Sequence, residues 1–118
     1  MLYTSGTTGR AKGVALTHAG LVLNALNTTA PLRLDGAMVH LHCGPLFHMG
    51  AGARVFSTTV HAGRHVVLPR FDAGLVIRAI AAERVTHAVT VPAMLTAILA
   101  DPDLDAHDLS SLRVLSYG

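Results

Sequence analysis

The feature that most constrains the fold is the alternation of short apolar runs with helical segments. Four runs have the length and β-branched content of strands: MVHLHC, RHVVLP, HAVTV and LRVLSYG. Between them, a small-residue stretch ending near Ala62, a segment that follows Asp72 and ends near Arg84, and the segment PAMLTAILA predict helices. Strands that alternate with helices of about ten residues are typical of βαβ units. The sequence therefore predicts an α/β fold with a mostly parallel sheet and flanking helices.

Local signals set the ends of several elements. Thr17 has the side chain of an N-cap for a helix over HAGLVLNALNTT, which Pro31 stops. Asp72 is placed to cap the next-to-last helix, and Pro92 suits the first turn of the last one. Two shorter strands, 1–4 and 13–16, flank a glycine-rich loop near the start of the chain.

Composition limits the classes of protein that fit. The chain has 118 residues, room for one domain, and its 51% apolar content and mean hydropathy of +0.47 are high for that size, so we expect some apolar surface to meet a partner. Nine Lys and Arg against seven Asp and Glu are scattered without a block, which argues against nucleic-acid binding. There is no apolar run long enough for a membrane span and no signal-peptide pattern, so we expect a cytoplasmic protein. Cys43, the single cysteine, predicts a buried, inert thiol.

The two ends of the chain both read as strands. The first residue starts one strand and Gly118 closes another, with no polar tail beyond it. An end strand without its neighbours exposes backbone groups and apolar side chains. We therefore expect the chain to be a piece of a larger fold.

The loop YTSGTTGRAKG, residues 3–13, is the strongest candidate site. It does not match the spacing of a Walker loop or of the dinucleotide fingerprint. Glycines leave successive backbone N–H groups open to one anion, hydroxyl groups add donors, and Lys12 adds a compact positive charge, which together favour a polyphosphate. The alternative is a glycine-rich hairpin whose hydroxyl groups only satisfy the turn.

Histidines and aspartates elsewhere offer weaker candidates. His48 is either a functional side chain or a packed strand-end histidine bonded to backbone. His40 and His42 share a strand face, and without a third ligand we expect a half-buried pair rather than a metal site. The remaining histidines of this group are expected at the surface or at strand ends: His61, His65, His87 and His107. The alternating aspartates from Asp101 to Asp108 lack the glycine and glutamate of a calcium loop and predict a solvated turn.

The segment MLYTSGTTGRAKGVALTH resembles the signature loop of the adenylate-forming, AMP-binding enzyme superfamily, which includes the acyl-CoA synthetases. GPLFHMGA is similar to the second family motif, VVLPRFDAGLVIRAIAAERVTHAVTVPAML follows the order of the family, and LSSLRVLSYG resembles the approach to its next glycine turn. The resemblance covers residues 1–118 and implies a partial AMP-binding domain, an incomplete piece of a larger N-terminal domain. One departure is Ala11, where the family usually has proline. Because proline has no backbone N–H group, alanine at this position removes no hydrogen-bond donor from the loop.

The resemblance implies an ATP-dependent ligase that activates a carboxylic acid, with fatty acids among the candidates, as an acyl-adenylate and then passes the acyl group to a thiol, commonly coenzyme A. The ATP phosphates would be held by the loop residues Thr4, Ser5, Gly6, Thr7, Thr8, Gly9 and Lys12. Thr4 would also help to seat Mg²⁺, although no residue here matches the carboxylate that this ion usually needs. Phe47 and His48 would line the acyl side of the site.

The chain lacks the later family motifs for adenine and ribose, the hinge, and the C-terminal domain with the lysine that drives adenylation. We therefore expect no catalytic residue in the chain, the rest of the same enzyme as its partner, and no acyl-adenylate formation by the chain alone. Two alternatives stay open: a binding module that holds a nucleotide or polyphosphate without chemistry, and a non-functional remnant.

Overall fold

The computed structural model of the chain describes residues 2–4 and 9–118, and all that follows concerns these residues. The strands are β1 (Leu2–Thr4), β2 (Lys12–Val14), β3 (Val39–His42), β4 (Arg64–Val67), β5 (His87–Thr90) and β6 (Val114–Tyr117). The helices are α1 (His18–Asn27), α2 (Met49–Val60), α3 (Ala73–Glu83) and α4 (Pro92–Leu99), and a short 3₁₀ helix spans Leu104–Ala106.

The strands form two sheets. β3, β4, β5 and β6 make a four-stranded sheet in the order β4-β3-β5-β6, and each neighbouring pair is parallel. β1 and β2 pair antiparallel in a separate two-stranded sheet. The predicted α/β architecture with a mostly parallel sheet is confirmed, because α2, α3 and α4 lie between successive strands as crossover connections.

The predicted helix starts are also confirmed. The Thr17 hydroxyl accepts a hydrogen bond from the Gly20 amide at 3.0 Å, and the Asp72 carboxylate accepts one from the Leu75 amide at 2.8 Å. Each bond satisfies an amide that the first turn of a helix leaves without a partner. Pro92 occupies the first turn of α4, where its missing N–H costs no helical bond. The 3₁₀ helix was not predicted, since its three residues lie inside a polar turn.

The apolar core lies on one face of the four-stranded sheet, between the sheet and the pair α3 and α4. Inward side chains of β3 and β5 meet the apolar stripe of α3 there. Its buried members are Leu41, Cys43, Val76, Ile77, Ile80, Val85, Ala88 and Ile98. Cys43 is buried, as predicted, and burial raises the pKa of its thiol, which disfavours the reactive thiolate.

The opposite face of the same strands is polar and equally buried. His40, His42 and His87 are each at most 3% exposed, so the expectation of a half-buried pair at His40 and His42 was wrong. His87 begins β5, which is one of the two kinds of position expected for it, but it is buried there. The reason is that β3 and β5 are the two inner strands of a parallel sheet, and such strands are covered on both faces. α2 covers this second face and packs in turn against α1.

In the described part of the chain, no helix is long and apolar enough to cross a membrane.

Candidate active-site cleft

The loop candidate is held by the β1–β2 hairpin. Thr4 is paired directly with Lys12, followed outward by Tyr3 with Gly13 and Leu2 with Val14. Directly opposed residues in an antiparallel pair have Cα atoms about 4.5–5.5 Å apart. The hairpin therefore brings the first and the last of the predicted phosphate-binding residues to the two sides of the loop base, and both are exposed.

Gly9 is the other described residue of this set. It is exposed and has a φ of +84°, a conformation that L side chains rarely adopt. A glycine is needed there because a Cβ would strain the backbone in this region, even though the space around it is open. The remaining predicted loop residues, Ser5, Gly6, Thr7 and Thr8, lie outside the described residues.

Phe47 and His48 lie in the short connection between β3 and α2. His48 is the N-cap of α2, with extended backbone and no capping bond from its side chain. The Phe47 and His48 rings are tilted against each other with centroids 4.9 Å apart, and both side chains are exposed. The structure thus presents the two predicted acyl-wall residues at the surface, at the carboxyl end of a parallel strand where ligands of α/β sheets bind.

A cleft of about 250 Å³ joins the hairpin to this connection. One wall comes from the hairpin and includes Thr4, and the other comes from the start of α2. The lining residues are Leu2, Tyr3, Thr4, Val14, Leu16, Phe47, His48 and Met49. The structure therefore brings a predicted phosphate-binding residue and both predicted acyl-wall residues to one cleft, although they are more than 40 positions apart in the sequence.

His48 also lines a second, smaller cavity of about 150 Å³ on its other side. This cavity lies at the carboxyl ends of β3, β5 and β6, and its walls are mostly apolar. They are formed by Gly44, Pro45, His48, Gly50, Ala51, Val89, Thr90, Val91, Met94 and Gly118. His48 therefore separates the cleft that reaches the hairpin from an apolar chamber under the start of α2.

The far wall of this chamber was not predicted from the sequence. It is formed by Thr90, Val91 and Met94. Thr90 is 3% exposed, and its hydroxyl oxygen is buried without a partner among the described residues. A signal was present in the sequence, because Thr90 ends a predicted strand and Pro92 starts the next helix. Parallel-strand ends meet at one sheet edge, which would have placed them near Pro45 and His48.

A further apolar cavity of about 500 Å³ lies between the hairpin, α1 and α2. Leu16, Leu21, Val55 and Phe56 are among its lining residues, and His18 adds the one ionisable group. Its walls bring no cluster of polar groups together, so its size alone does not make it a reactive site.

The polar groups at the hairpin base suit an anion better than a metal. Lys12 carries an ammonium group and Thr4 a hydroxyl group, and both are donors to anions, whereas Mg²⁺ usually needs a carboxylate beside a hydroxyl. In residues 2–4 and 9–118, no three His, Cys, Asp or Glu side chains are close enough to hold a metal ion. Thr4 as a metal ligand therefore stays a prediction.

A family model described as "AMP-binding enzyme" matches residues 1–118. The chain is 43% identical over 119 residues to a feruloyl-CoA synthase of Amycolatopsis sp, an alignment that covers 100% of this chain and 24% of that protein. It is 40% identical over 119 residues to the medium/long-chain-fatty-acid–CoA ligase FadD8 of Mycobacterium tuberculosis, covering 100% of this chain and 20% of that one. The chain thus spans about a fifth to a quarter of the length of these curated relatives.

A similar solved structure is O-succinylbenzoate coenzyme A synthetase from Bacillus subtilis in complex with ATP and magnesium ion. It superposes with a TM-score of 0.88 at 28% sequence identity, and the match covers 99% of this chain and 24% of that chain.

Proposed function

The chain belongs to the AMP-binding enzyme family, and from that premise we propose that residues 1–118 are part of the AMP-binding domain of an ATP-dependent carboxylate–CoA ligase. The observation that carries the proposal is the shared cleft, in which Thr4 of the hairpin faces Phe47 and His48 of the β3–α2 connection. A ligase of this kind must bring a triphosphate and a carboxylate together. The hairpin wall of the cleft suits the triphosphate, and the wall from the β3–α2 connection suits the carboxylate. The names of the relatives, which are CoA ligases and synthetases, support the same reaction class.

In the proposed reaction, a carboxylate oxygen of the substrate attacks the α-phosphorus of ATP, and the bond from that phosphorus to the bridging oxygen of pyrophosphate breaks. Negative charge accumulates on the departing pyrophosphate. Lys12, Gly9 and the loop residues 5–8 would hold this leaving group, which lowers the barrier by charge stabilisation and positioning without a covalent step. A thiol of CoA then attacks the acyl carbon, and AMP leaves.

The apolar chamber beyond His48 would take the acyl group. Its volume of about 150 Å³ and its walls of small and apolar residues suit the hydrocarbon part of a carboxylic acid. His48, between the chamber and the cleft, would contact the carboxylate end. An aromatic acid and a medium-length fatty acid both fit this description, in line with the two kinds of relative. A cytoplasmic location is also part of the proposal, since ATP and CoA are both consumed there.

A chimera tests this proposal. Residues 1–118 would replace the matching 119-residue segment of the Amycolatopsis feruloyl-CoA synthase. We expect ATP–pyrophosphate exchange that depends on an added carboxylic acid, with ferulate and decanoate compared as substrates. The isolated 118-residue chain should give no exchange, and detecting it there would contradict the assignment of the chain to a part of the enzyme.

Lys12→Ala in the chimera should lower kcat/KM for ATP by about 100-fold or more, the usual effect of removing one group that stabilises transition-state charge. Arg10→Ala is the matched control, because Arg10 is an exposed cation two positions away and should leave the rate within about twofold. Equal effects of the two changes would reject a specific phosphate role for Lys12. Nucleotide binding by the isolated chain, together with no exchange in the chimera, would favour the binding-module alternative.

A further inference from the structure

Four histidines of the polar sheet face lie next to one another on three adjacent strands. His40 of β3 is in register with His65 of β4 on one side and with His87 of β5 on the other. Laterally paired residues of a parallel sheet point to the same face, and so does His42, two positions along β3 from His40. The His40 and His42 ring centroids are 4.7 Å apart, and the His42 and His65 rings stack at 5.1 Å. We call these four residues the histidine cluster.

Hydrogen bonds satisfy only part of the cluster. His42 Nε2 and His65 Nδ1 share a bond of 3.0 Å, and His87 Nε2 lies 3.1 Å from the Leu32 carbonyl oxygen. His40 Nε2 and His42 Nδ1 are buried without a partner among the described residues. A buried ring nitrogen without a partner costs free energy even in the neutral imidazole, and a proton on the ring would add the much larger cost of a buried charge.

The groups that face His40 are all basic. α2 contributes Arg54, whose Nε and one terminal nitrogen are also buried without a partner among the described residues. The charges that act on His40 come from His42, His87, Arg54 and His65, and no carboxylate is among them. Asp35 acts on His87, but it is exposed and forms an ion pair with Arg113 at 3.3 Å. A proton on His40 would therefore be buried beside a fixed positive charge with no counterion.

We propose that the histidine cluster makes the packing of α2 on the sheet acid-labile, so that mildly acidic pH releases α2 from β3 and β5 while the apolar face stays closed. α2 packs over the strands that carry the buried histidines, and its Arg54 is one of the charges that act on His40. His65 is already exposed at the edge of the cluster. Releasing α2 would expose His40 and His42 to water as well, where they can be protonated without a desolvation penalty and at a greater distance from the guanidinium.

The sign of the effect follows from the direction of the shifts. Burial, and then the neighbouring basic groups, lower the pKa of His40 to about 3, and burial followed by His65 lowers the pKa of His42 to about 4. In an open or unfolded chain both groups return to about 6.5. The two neutral histidines therefore favour the closed packing of α2 fully above about pH 6.5. The free energy that they contribute to this packing is lost as the pH falls from there toward 4.

Release of α2 would also disturb the candidate site, because His48 is the N-cap residue of α2 and Met49 is the first residue of this helix. This functional consequence rests on the proposed function. The release itself does not, since it depends only on how α2 packs. Failure of the Lys12→Ala test would leave the experiment below unaffected.

Hydrogen exchange of the 118-residue chain, followed by mass spectrometry between pH 7.5 and 5.0 and corrected for the intrinsic exchange rate, tests the release. Each histidine that is protonated only in the open state raises the opening constant by up to tenfold per pH unit. We expect α2 amides to lose roughly 100-fold in protection between pH 7.5 and 5.5 relative to α3 amides, since both His40 and His42 contribute. An equal loss in α2 and α3 would mean global unfolding and would overturn the proposal.

The double variant His40→Gln/His42→Gln keeps polar side chains but cannot titrate in this range, so its α2 protection should fall no more than that of α3. The matched control is His18→Gln/His107→Gln, which changes two histidines outside the cluster and should behave like the parent chain. A loss that persists in the first double variant rejects the proposal. If that variant does not fold, NMR titration of the parent chain decides: His40 and His42 midpoints below pH 5 support the proposal, and midpoints near 6.5 reject it.

Discussion

The two faces of the four-stranded sheet are built on the same strands and are buried to the same degree, yet they differ in chemistry. Toward α3 and α4, β3 and β5 present Leu41, Cys43 and Ala88, which pack among aliphatic side chains. Toward α2, the alternate positions present His40, His42 and His87. Alternation along a strand thus separates an apolar core from a polar one across a single layer of backbone.

The difference matters because the two faces respond to different disturbances. An apolar contact is lost only when a methyl group or its neighbour is removed, and it does not change with pH. A buried polar face depends on every donor and acceptor having a partner. In the described residues that face still has unpartnered atoms on His40, His42, Arg54 and Thr58. We therefore expect the apolar face to supply most of the free energy of unfolding. The polar face should account for most of the dependence of that free energy on pH and on hydrogen bonding.

The largest expected effect comes from the apolar face. Ile77 of α3 is 0% exposed at the centre of the core, and Ile77→Ala should lower the free energy of unfolding by about 2–5 kcal/mol. Leu99→Ala is the control, because Leu99 at the end of α4 is 64% exposed and should cost no more than about 0.5 kcal/mol. Urea unfolding followed by circular dichroism measures both. Similar losses at the two positions would remove the basis for calling this face the main core.

A smaller effect is expected where α2 approaches the β3–α2 connection. A Cβ on Gly52 would lie 2.5 Å from the Leu46 carbonyl oxygen, so Gly52→Ala must shift the backbone beside Phe47 and should cost about 1–3 kcal/mol. Gly50, in the same helix, has open space around it, and Gly50→Ala should add about 0.5–1 kcal/mol through helix propensity. Thermal unfolding of the two variants should move in opposite directions, and shifts of the same sign would contradict this packing of α2.

The polar face itself gives a test with the opposite sign. The Thr58 hydroxyl is buried without a partner among the described residues, so the isosteric Thr58→Val change should stabilise the chain by about 1 kcal/mol. Thr28→Val is the control, because the Thr28 hydroxyl donates to the Ala25 carbonyl oxygen at 2.9 Å and its removal should cost about 1 kcal/mol. If urea unfolding shows that Thr58→Val destabilises, the polar face is better satisfied than its bonds indicate.

The smallest effect is expected outside both faces. Arg64 and Glu83 form an ion pair of 2.6 Å with both side chains about half exposed, which adds little to stability in water. Glu83→Gln should change the free energy of unfolding by less than about 0.5 kcal/mol, and raising the salt concentration should change the parent and the variant alike. A loss above 1 kcal/mol would show that surface charges contribute as much as the polar face does.

Much of the fold was predictable from the sequence because its signals are local. Thr17 and Asp72 cap helices in the structure as their side chains predict, and each strand of the sheet lies where its apolar run predicts it. The family resemblance is confirmed by the match over residues 1–118. The burial of His87 was not predictable in the same way, because it depends on which strands are central, and strand order is a property of the whole chain.

The candidate site was predictable in its parts and not in its assembly. The sequence named Thr4, Lys12, Phe47 and His48, and the structure pairs the first two and places Thr4 in one cleft with the last two. The roles of these residues stay predictions, as do those of residues 5–8. Thr90 and Met94 escaped notice, because a threonine and a methionine carry no motif and become wall residues only when three strand ends meet.

The strand order also has a kinetic consequence. Every pair in the four-stranded sheet is parallel, so none can form before a crossover of many residues has been closed, and such non-local contacts slow folding. The β1–β2 pair closes over only the residues between Thr4 and Lys12 and can form within microseconds. An isolated two-stranded hairpin is marginal in water, however, so it persists only after α1 and α2 have assembled beside it. We therefore expect the cleft to be the last part of the chain to become stably folded. Its hairpin wall can nevertheless form transiently before any other part.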